Sequence, residues 1–424
     1  QPGVRVLDRA AQRAASAEGV KMRLLIVSGE FPPQQGGVGD YTDRLARALA
    51  AQQVEVHVLT GANGEGPAPT VQAPFVRHTL TGWRYGSWPA VQRVSAQVQP
   101  DVLLIQYQSA AYGLHPAINL LPDYLRWRGG ARRPLVATTF HDLLFPYIFP
   151  KAGRLRMAVV RRLARRSDIA IATNVEDLDR LHGWGLALAD VTLGAAPRPG
   201  ACFIPIGSNI APRPPAGYDR RAVRSQWGLG DEDWLLCYFG FLHASKGGEV
   251  LVRALASLVE QGRPAHLLMI GGQVGSSDPT IAAYLAAIRQ LISDLGLEAR
   301  VHWTGFVAPD AVTAYLLAAD VAALPYLDGA GRSRGSLMAV LAHGLPTVTT
   351  QPQRALPYFE DGGNVVYVAA GDVAAVVDAV VRVQCDPVLR QRLQAGARAL
   401  HEAYDWPAIA GQHLALFRMY GMTS

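Results

Sequence analysis

The chain has 424 residues, half of them hydrophobic and 17% charged, with a net charge of +6; that is too long for one core and too apolar for extended disorder, so two domains of roughly 190 residues are expected. The positive balance favours anionic partners without choosing among sugar nucleotides, nucleic acid and a membrane surface, and the absence of RNP-type, zinc-finger and basic-zipper patterns places nucleic acid last. The three cysteines, Cys202, Cys237 and Cys385, form neither a disulfide framework nor a CxxC metal pattern, which fits a reducing compartment.

Residues 1–21 lack the apolar core of a signal peptide and read as a helical or disordered leader, with Met22 as an alternative start. No apolar run reaches the roughly 18 residues that span a bilayer, so a soluble, cytoplasmic protein is expected. The first strand is the apolar run RLLIVSG from Arg23, followed by the Gly-rich loop Gln35–Tyr41 and a helix from about Thr42 to Gln52. VEVHVLT from Val54 completes a strand–helix–strand unit. The pattern repeats with strands near Phe75, Asp101, Pro134 and Asp168 and helices near Pro89–Val98, Pro116–Trp127 and Arg154–Arg166, and CFIPIGS closes this half near Ser208. The segment 211–233 concentrates Pro and charge and marks the boundary. A second alternating series then has strands starting near Trp234, His266, Arg300, Val321, Pro346 and Val365. Helices near Val373–Val383 and Pro387–His401 follow, the second opened by Asp386 as N-cap and Pro387 as first helical residue. A final helix starts near Pro407. The expected organisation is therefore a leader at 1–21, α/β domains at 22–210 and 211–402, and a terminal helix at 403–424, each domain a doubly wound Rossmann-like sheet.

Several stretches suggest chemistry. LPYLDGAGRSRGSLMAVLAHGLPTVTT, Leu324 to Thr350, reads as strand, Gly-rich basic loop, helix and strand, with Ser336 as N-cap and Gly344 as the left-handed stop. A helix N-terminus entered past Arg332 and Arg334 suits a phosphate or diphosphate, and equally a solvated connector. Gly36, Gly37 and Gly39 suit close backbone approach to a ligand or a tight turn; the third glycine of the dinucleotide fingerprint is missing. His141-Asp142 ends a strand, where a neutral imidazole meets a sugar hydroxyl or is satisfied by its neighbours. Lys246 precedes a helix opening at Gly247-Gly248, where an ammonium neutralises a diphosphate or stays in water. Asp231-Glu232-Asp233 precedes a strand and reads as a turn rather than a metal site. The basic helix 154–166 suits an anionic lipid surface, but an amphipathic crossover with its arginines in water is preferred.

Together these residues resemble the GT-B glycosyltransferases, specifically the large retaining family four (glycosyl transferases group 1), from about Arg23 to the C-terminus. The segments that carry the resemblance are GGVGDYT, TTFHD, RRLARRSDIAIATN, YFGFLHASKGG, WTGFV and LMAVLAHGLPTVTT. The resemblance implies two Rossmann-like domains facing a central cleft, closed by the terminal helix crossing back to the first. It implies metal-free transfer of a sugar from a nucleotide-diphosphate sugar, without cofactor, to a glycan, lipid-linked or small-molecule acceptor. Electrostatic stabilisation of the leaving diphosphate would carry the reaction. It implies catalytic roles for His141, Lys246 and Asp328. Gly37, Gly39, Phe306, Arg332, Arg334, Gly335 and Ser336 would bind the donor, with Asp40 and Tyr41 on the acceptor side.

The match breaks at two places. Phe241 stands where the family often has a diphosphate-binding Arg, and Ala339 where its ribose-binding Glu stands. Without a gap, Gly331 aligns with the family's earlier Glu; Asp328 would take that role if the loop bulges, and Arg332 and Arg334 would replace the lost cation. A scaffold that has lost transfer and serves as a sugar-nucleotide-binding or partner subunit is the alternative.

Overall fold

The computed structural model describes residues 21–34, 36–61, 74–129, 133–143, 153–190, 194, 196–271, 279–331, 335–356 and 358–421. The expected leader, all but Lys21, lies outside the described residues, as do Gln35, Arg332 and Arg334. The chain divides into two compact units, Gln1–Gly207 with Asp405–Ser424, and Ser208–Tyr404.

The first unit runs β1 (Arg23–Ser28), α1 (Gly37–Ala51), β2 (Glu55–Gly61), β3 (Val76–Leu80), α2 (Trp88–Val98), β4 (Val102–Tyr107), α3 (Ala117–Gly129), β5 (Leu135–Phe140), α4 (Gly153–Arg166), β6 (Ile169–Ala172), α5 (Val175–Gly183), β7 (Ala187–Leu188) and β8 (Gly200–Phe203). Among the described residues these strands make one parallel sheet in the order β3-β2-β1-β4-β5-β6-β8-β7. Leu24, Leu25, Ile26 and Val27 of β1 are all at 0% exposure, because helices cover both faces. Leu25 and Val27 belong to one core with Val91 of α2, Leu121 of α3 and Leu163 of α4, while Leu24 and Ile26 belong to another with Leu45 of α1.

The second unit runs α6 (Arg220–Ser225), β9 (Trp234–Phe239), α7 (Gly248–Glu260), β10 (Ala265–Ile270), α8 (Pro279–Asp294), β11 (Val301–Gly305), α9 (Pro309–Ala318), β12 (Val321–Leu324), α10 (Gly335–Ala342), β13 (Thr347–Thr350), β14 (Val366–Val368), α11 (Val373–Cys385) and α12 (Pro387–Ala403). Its sheet is parallel, in the order β11-β10-β9-β12-β13-β14. Asp386 caps α12 by accepting from Leu389 N at 2.9 Å, with Pro387 first in the helix. The last helix, α13 (Trp406–Gly421), packs in the first unit, where Gln52 Nε2 donates to Pro407 O at 2.7 Å. No described helix is long and apolar enough to cross a membrane.

Two expectations are corrected locally. The Gly-rich stretch is not a loop before Thr42: α1 already starts at Gly37, and Val38, Gly39 and Tyr41 are buried in its first turns. Ser336 is not an N-cap: it lies inside α10, where its hydroxyl bonds the Tyr326 hydroxyl at 2.8 Å. Helix α5 went unread, although Asn174 caps it by accepting from Asp177 N at 2.7 Å.

Both units use the same device at the amino edges of their sheets. Asp168, ahead of β6, takes two bonds from Arg133 at 2.6 and 2.7 Å, one from Arg126 at 3.0 Å and one from Val136 N at 2.9 Å. Burial alone would raise its carboxyl, yet these donors hold it below the usual carboxylate range. Asp320, ahead of β12, accepts from Leu235 N at 2.8 Å, Arg224 at 3.1 Å and Arg220 at 2.5 Å. Each carboxylate pins a strand start to its neighbour, which leaves the carboxyl edges for chemistry.

Candidate active site

In the second unit the strand ends form a terrace of close backbone. Gly240 (φ 125°) follows β9, Gly271 (φ 128°) follows β10, and Gly305 (φ 67°) ends β11; all three are in the region that favours glycine. Gly240 N donates to Ile270 O at 3.0 Å and Gly271 N to Thr304 Oγ1 at 3.2 Å, so the three ends touch in sequence. Gly247 (φ 71°) turns into α7 directly beneath Pro325 O, where any Cβ would overlap that carbonyl. Leu327 N donates to Ser245 O at 2.9 Å, which ties the loop after β12 to the loop after β9.

This tie brings Lys246, Tyr326 and Ser336 together. The Lys246 ammonium lies 5.1 Å from the Tyr326 ring centroid, and Tyr326, fully buried, holds Ser336 by its hydroxyl. Ser336 in turn sits against Gly240, where a Cβ would stand 3.4 Å from its own Cβ. Gly335 opens α10 with nothing within 4 Å of where a Cβ would be. A helix start with a cation near it favours an anion through the N–H groups of its first turn and its dipole. Phe306, next after Gly305, is 70% exposed, and Phe241, next after Gly240, is 56% exposed. Asp328 is exposed on the turn after Tyr326, and its backbone carbonyl accepts from Gln353 Nε2 at 3.4 Å. Arg332 and Arg334, the expected cation replacements, fall outside the described residues. Ala339 is at 0% exposure within the core, and His343 is structural, its ring bonded to Ala339 O at 2.7 Å.

In the first unit His141 follows β5 and is half-buried. Its Nε2 lies 2.8 Å from Gln106 Oε1, and its ring meets Tyr41 edge-on at 4.7 Å between centroids. Burial, then the neighbouring His413, pushes its pKa down to about 3, so the imidazole is neutral through the physiological range. Tyr41, expected on the acceptor side, is 1% exposed and packs between His141 and Trp406, the latter at 5.2 Å. That burial corrects its assignment to an interior role. Gly39 is likewise used by the chain itself: a Cβ there would lie 3.2 Å from Phe31 Cα. Gly37, by contrast, faces open space.

Glu30 was missed. Its carboxylate occupies the room left by Gly36, and burial together with nearby Asp40 raises it above the usual carboxylate range. Asp40 is raised as well, by partial desolvation and by Asp43 against the pull of Arg44. The sequence signal for Glu30 was its place, two residues past the buried end of β1. The acidic triplet is used structurally: Asp231 pairs with Arg221 at 2.9 Å and Asp233 accepts from Gly230 N at 2.8 Å. Among the described residues no cluster of three His, Cys, Asp or Glu side chains is arranged to hold a metal.

Comparison with known proteins agrees with this architecture. Residues 35–193 match the profile described as Glycosyltransferase Family 4, and residues 234–386 that of Glycosyl transferases group 1. The chain is 28% identical over 397 residues to the GDP-mannose-dependent alpha-(1-6)-phosphatidylinositol monomannoside mannosyltransferase of Mycolicibacterium smegmatis, covering 90% of this chain and 94% of that one. It is 25% identical over 391 residues to the D-inositol 3-phosphate glycosyltransferase of Nocardia farcinica, covering 88% and 82%. In fold it is similar to the sucrose-phosphate synthase of Thermosynechococcus elongatus, with a TM-score of 0.70 at 21% identity over 95% of this chain and 100% of that one. It is also similar to the Anabaena protein HepE in complex with UDP and glucose, with a TM-score of 0.67 at 19% identity over 93% and 98%. With both halves matched and the two parallel sheets in place, the chain belongs to the group 1 glycosyl transferases, family four, of the GT-B fold.

Proposed function

We propose that this protein transfers a sugar from a nucleotide-diphosphate sugar to a glycan, lipid-linked or small-molecule acceptor, with retention at the anomeric carbon and without a metal. The observation that carries this reading is the grouping of Lys246, Tyr326 and Ser336 at the N-terminus of α10, on the carboxyl edge of the second sheet. An ammonium beside a helix start stabilises the charge that develops on a leaving diphosphate, the work a metal does elsewhere. Phe306 offers an exposed ring for the base, and Gly37 with Asp40 and His141 forms the sugar and acceptor side of the first unit. The names of the relatives make GDP-mannose and an inositol-bearing acceptor the first pair to test.

Peripheral contact with an anionic membrane face is a further part of the proposal. Trp127 is 77% exposed with the Arg128 guanidinium 5.5 Å from its ring, and the adjacent Arg126 donates to Arg166 O of α4 at 3.2 Å. The second reading, a scaffold that binds without transferring, is favoured by the buried Ala339 and the exposed Phe241 at two family site positions.

Thermal denaturation with UDP-, GDP-, ADP- and TDP-sugars, each with and without EDTA, tests the reading. A donor at one hundred times its dissociation constant stabilises by about 2.7 kcal/mol. Stabilisation by one nucleotide class, unchanged by EDTA, is expected. No response to any nucleotide overturns it, and a response without product formation supports the scaffold reading.

A further inference from the structure

Gln106 lies on β4 at 0% exposure, in register between Ser28 of β1 and Thr139 of β5. These three residues point to the face covered by α1 and α13, which below them is lined by Ile26, Leu104 and Ala137. An apolar side chain would suit that place better. The Gln106 amide nitrogen has no partner among the described residues, and leaving such a donor unsatisfied costs roughly 1–3 kcal/mol. Among the described residues, the one side-chain bond Gln106 makes is to His141 Nε2, at 2.8 Å. Tyr112 donates its hydroxyl to Gln106 O at 2.9 Å and so fixes the residue from behind.

We infer that Gln106 is a positioning residue: its side-chain carbonyl holds His141 as the Nε2–H tautomer and leaves Nδ1 to accept a hydrogen bond from a hydroxyl of the transferred sugar. No described residue bonds Nδ1. His413 does not impose the other tautomer, because its own Nδ1 donates to Ile409 O at 2.9 Å and its Nε2 makes no hydrogen bond among the described residues. The titratable groups around the ring are Tyr41 from α1, His413 from α13 and Asp142 next in the chain. None of them supplies an acceptor bond to Nε2, so among the described residues Gln106 decides between the two neutral forms. Which nitrogen carries the proton is set by the partner of the other, and that choice decides what the ring offers a ligand.

The inference rests on the proposed role of His141, and the experiment separates the two. Histidine-selective nitrogen-15 labelling of the full chain, read by long-range proton–nitrogen correlation, reports the tautomer directly. The His141 signal is identified by its loss in His141→Asn. The expected result is an Nε2–H pattern in the unaltered protein that becomes a mixture in Gln106→Leu. Gln106→Leu should unfold no earlier than the unaltered protein while kcat/KM falls about tenfold, the loss of one oriented hydrogen bond. Gln106→Glu places a carboxylate on Nε2–H, favours the imidazolium and adds an acid limb to the pH profile. An Nδ1–H pattern in the unaltered protein, or a tautomer indifferent to Gln106→Leu, overturns the inference. Unchanged transfer in His141→Asn, with the tautomer as expected, removes instead the role given to His141.

Discussion

Replacing Lys246 with Ala is the sharpest perturbation of the donor site. The ammonium stands 5.1 Å from the Tyr326 ring, which is itself bonded to Ser336 at the start of α10. In the free protein the substitution removes a cation–π contact of about 0.5–1 kcal/mol. The backbone tie between Leu327 N and Ser245 O, and the turn at Gly247, do not involve the side chain. In the complex the lost interaction is a charge-assisted bond to a diphosphate, about 1.5–3 kcal/mol, which weakens the dissociation constant roughly 10- to 150-fold. Transfer should fall further, since charge on the leaving group grows toward the transition state. Titration calorimetry with the nucleotide sugar that stabilises the protein measures the first effect, and initial rates measure the second. Lys246→Met, which keeps the apolar stem, separates charge from packing. Unaltered donor affinity in both variants, with the fold intact, would refute the placement of the diphosphate at Lys246.

Three further outcomes follow from named contacts. Because burial and His413 hold the His141 pKa down to about 3, the imidazole stays neutral as the pH falls from 8 to 5, and no acid limb from this residue should appear in kcat/KM. Asp168→Asn removes a buried partner of Arg133 and should cost the first unit roughly 3–5 kcal/mol at neutral pH. The folded pKa of Asp168 is lowered, so its contribution is present above the unfolded value of about 3.9 and is lost as the pH falls below it; denaturant midpoints of the two proteins should converge there. Tyr41→Phe deletes a buried hydroxyl that has no partner among the described residues and should leave stability unchanged or raise it by up to about 1 kcal/mol, read from the same midpoints.

Much of the fold was legible because its strands are short apolar runs buried on both faces, such as Leu24–Val27 and Leu267–Ile270. Their punctuation was equally plain: Gly344 has φ 64° after α10, and Asp386 caps α12. The start of α1 was misread because glycines usually mark a loop. Here Gly39 is needed for helix packing on the Phe31 backbone, and Gly36 makes room for Glu30. The Ser336 cap was misread because its hydroxyl has a tertiary partner, Tyr326, ten residues away, which no local pattern reveals. The site was legible only in outline. Lys246 and Ser336 both lay at strand ends in the sequence, but their meeting depends on Gly247 passing under Pro325. The Gln106–His141 contact links neighbouring strands 35 residues apart and leaves no mark in either segment.

The central claim is transfer from a nucleotide-diphosphate sugar, and the most direct measurement is of the product. The full chain is incubated with GDP-mannose, an inositol-bearing acceptor and EDTA, and the new glycosidic linkage is read by proton NMR. The account predicts free nucleoside diphosphate and a product whose anomeric configuration is that of the donor, at a rate the chelator does not change and Lys246→Ala lowers by more than its effect on donor affinity. An inverted linkage, or transfer that requires a divalent cation, would contradict it.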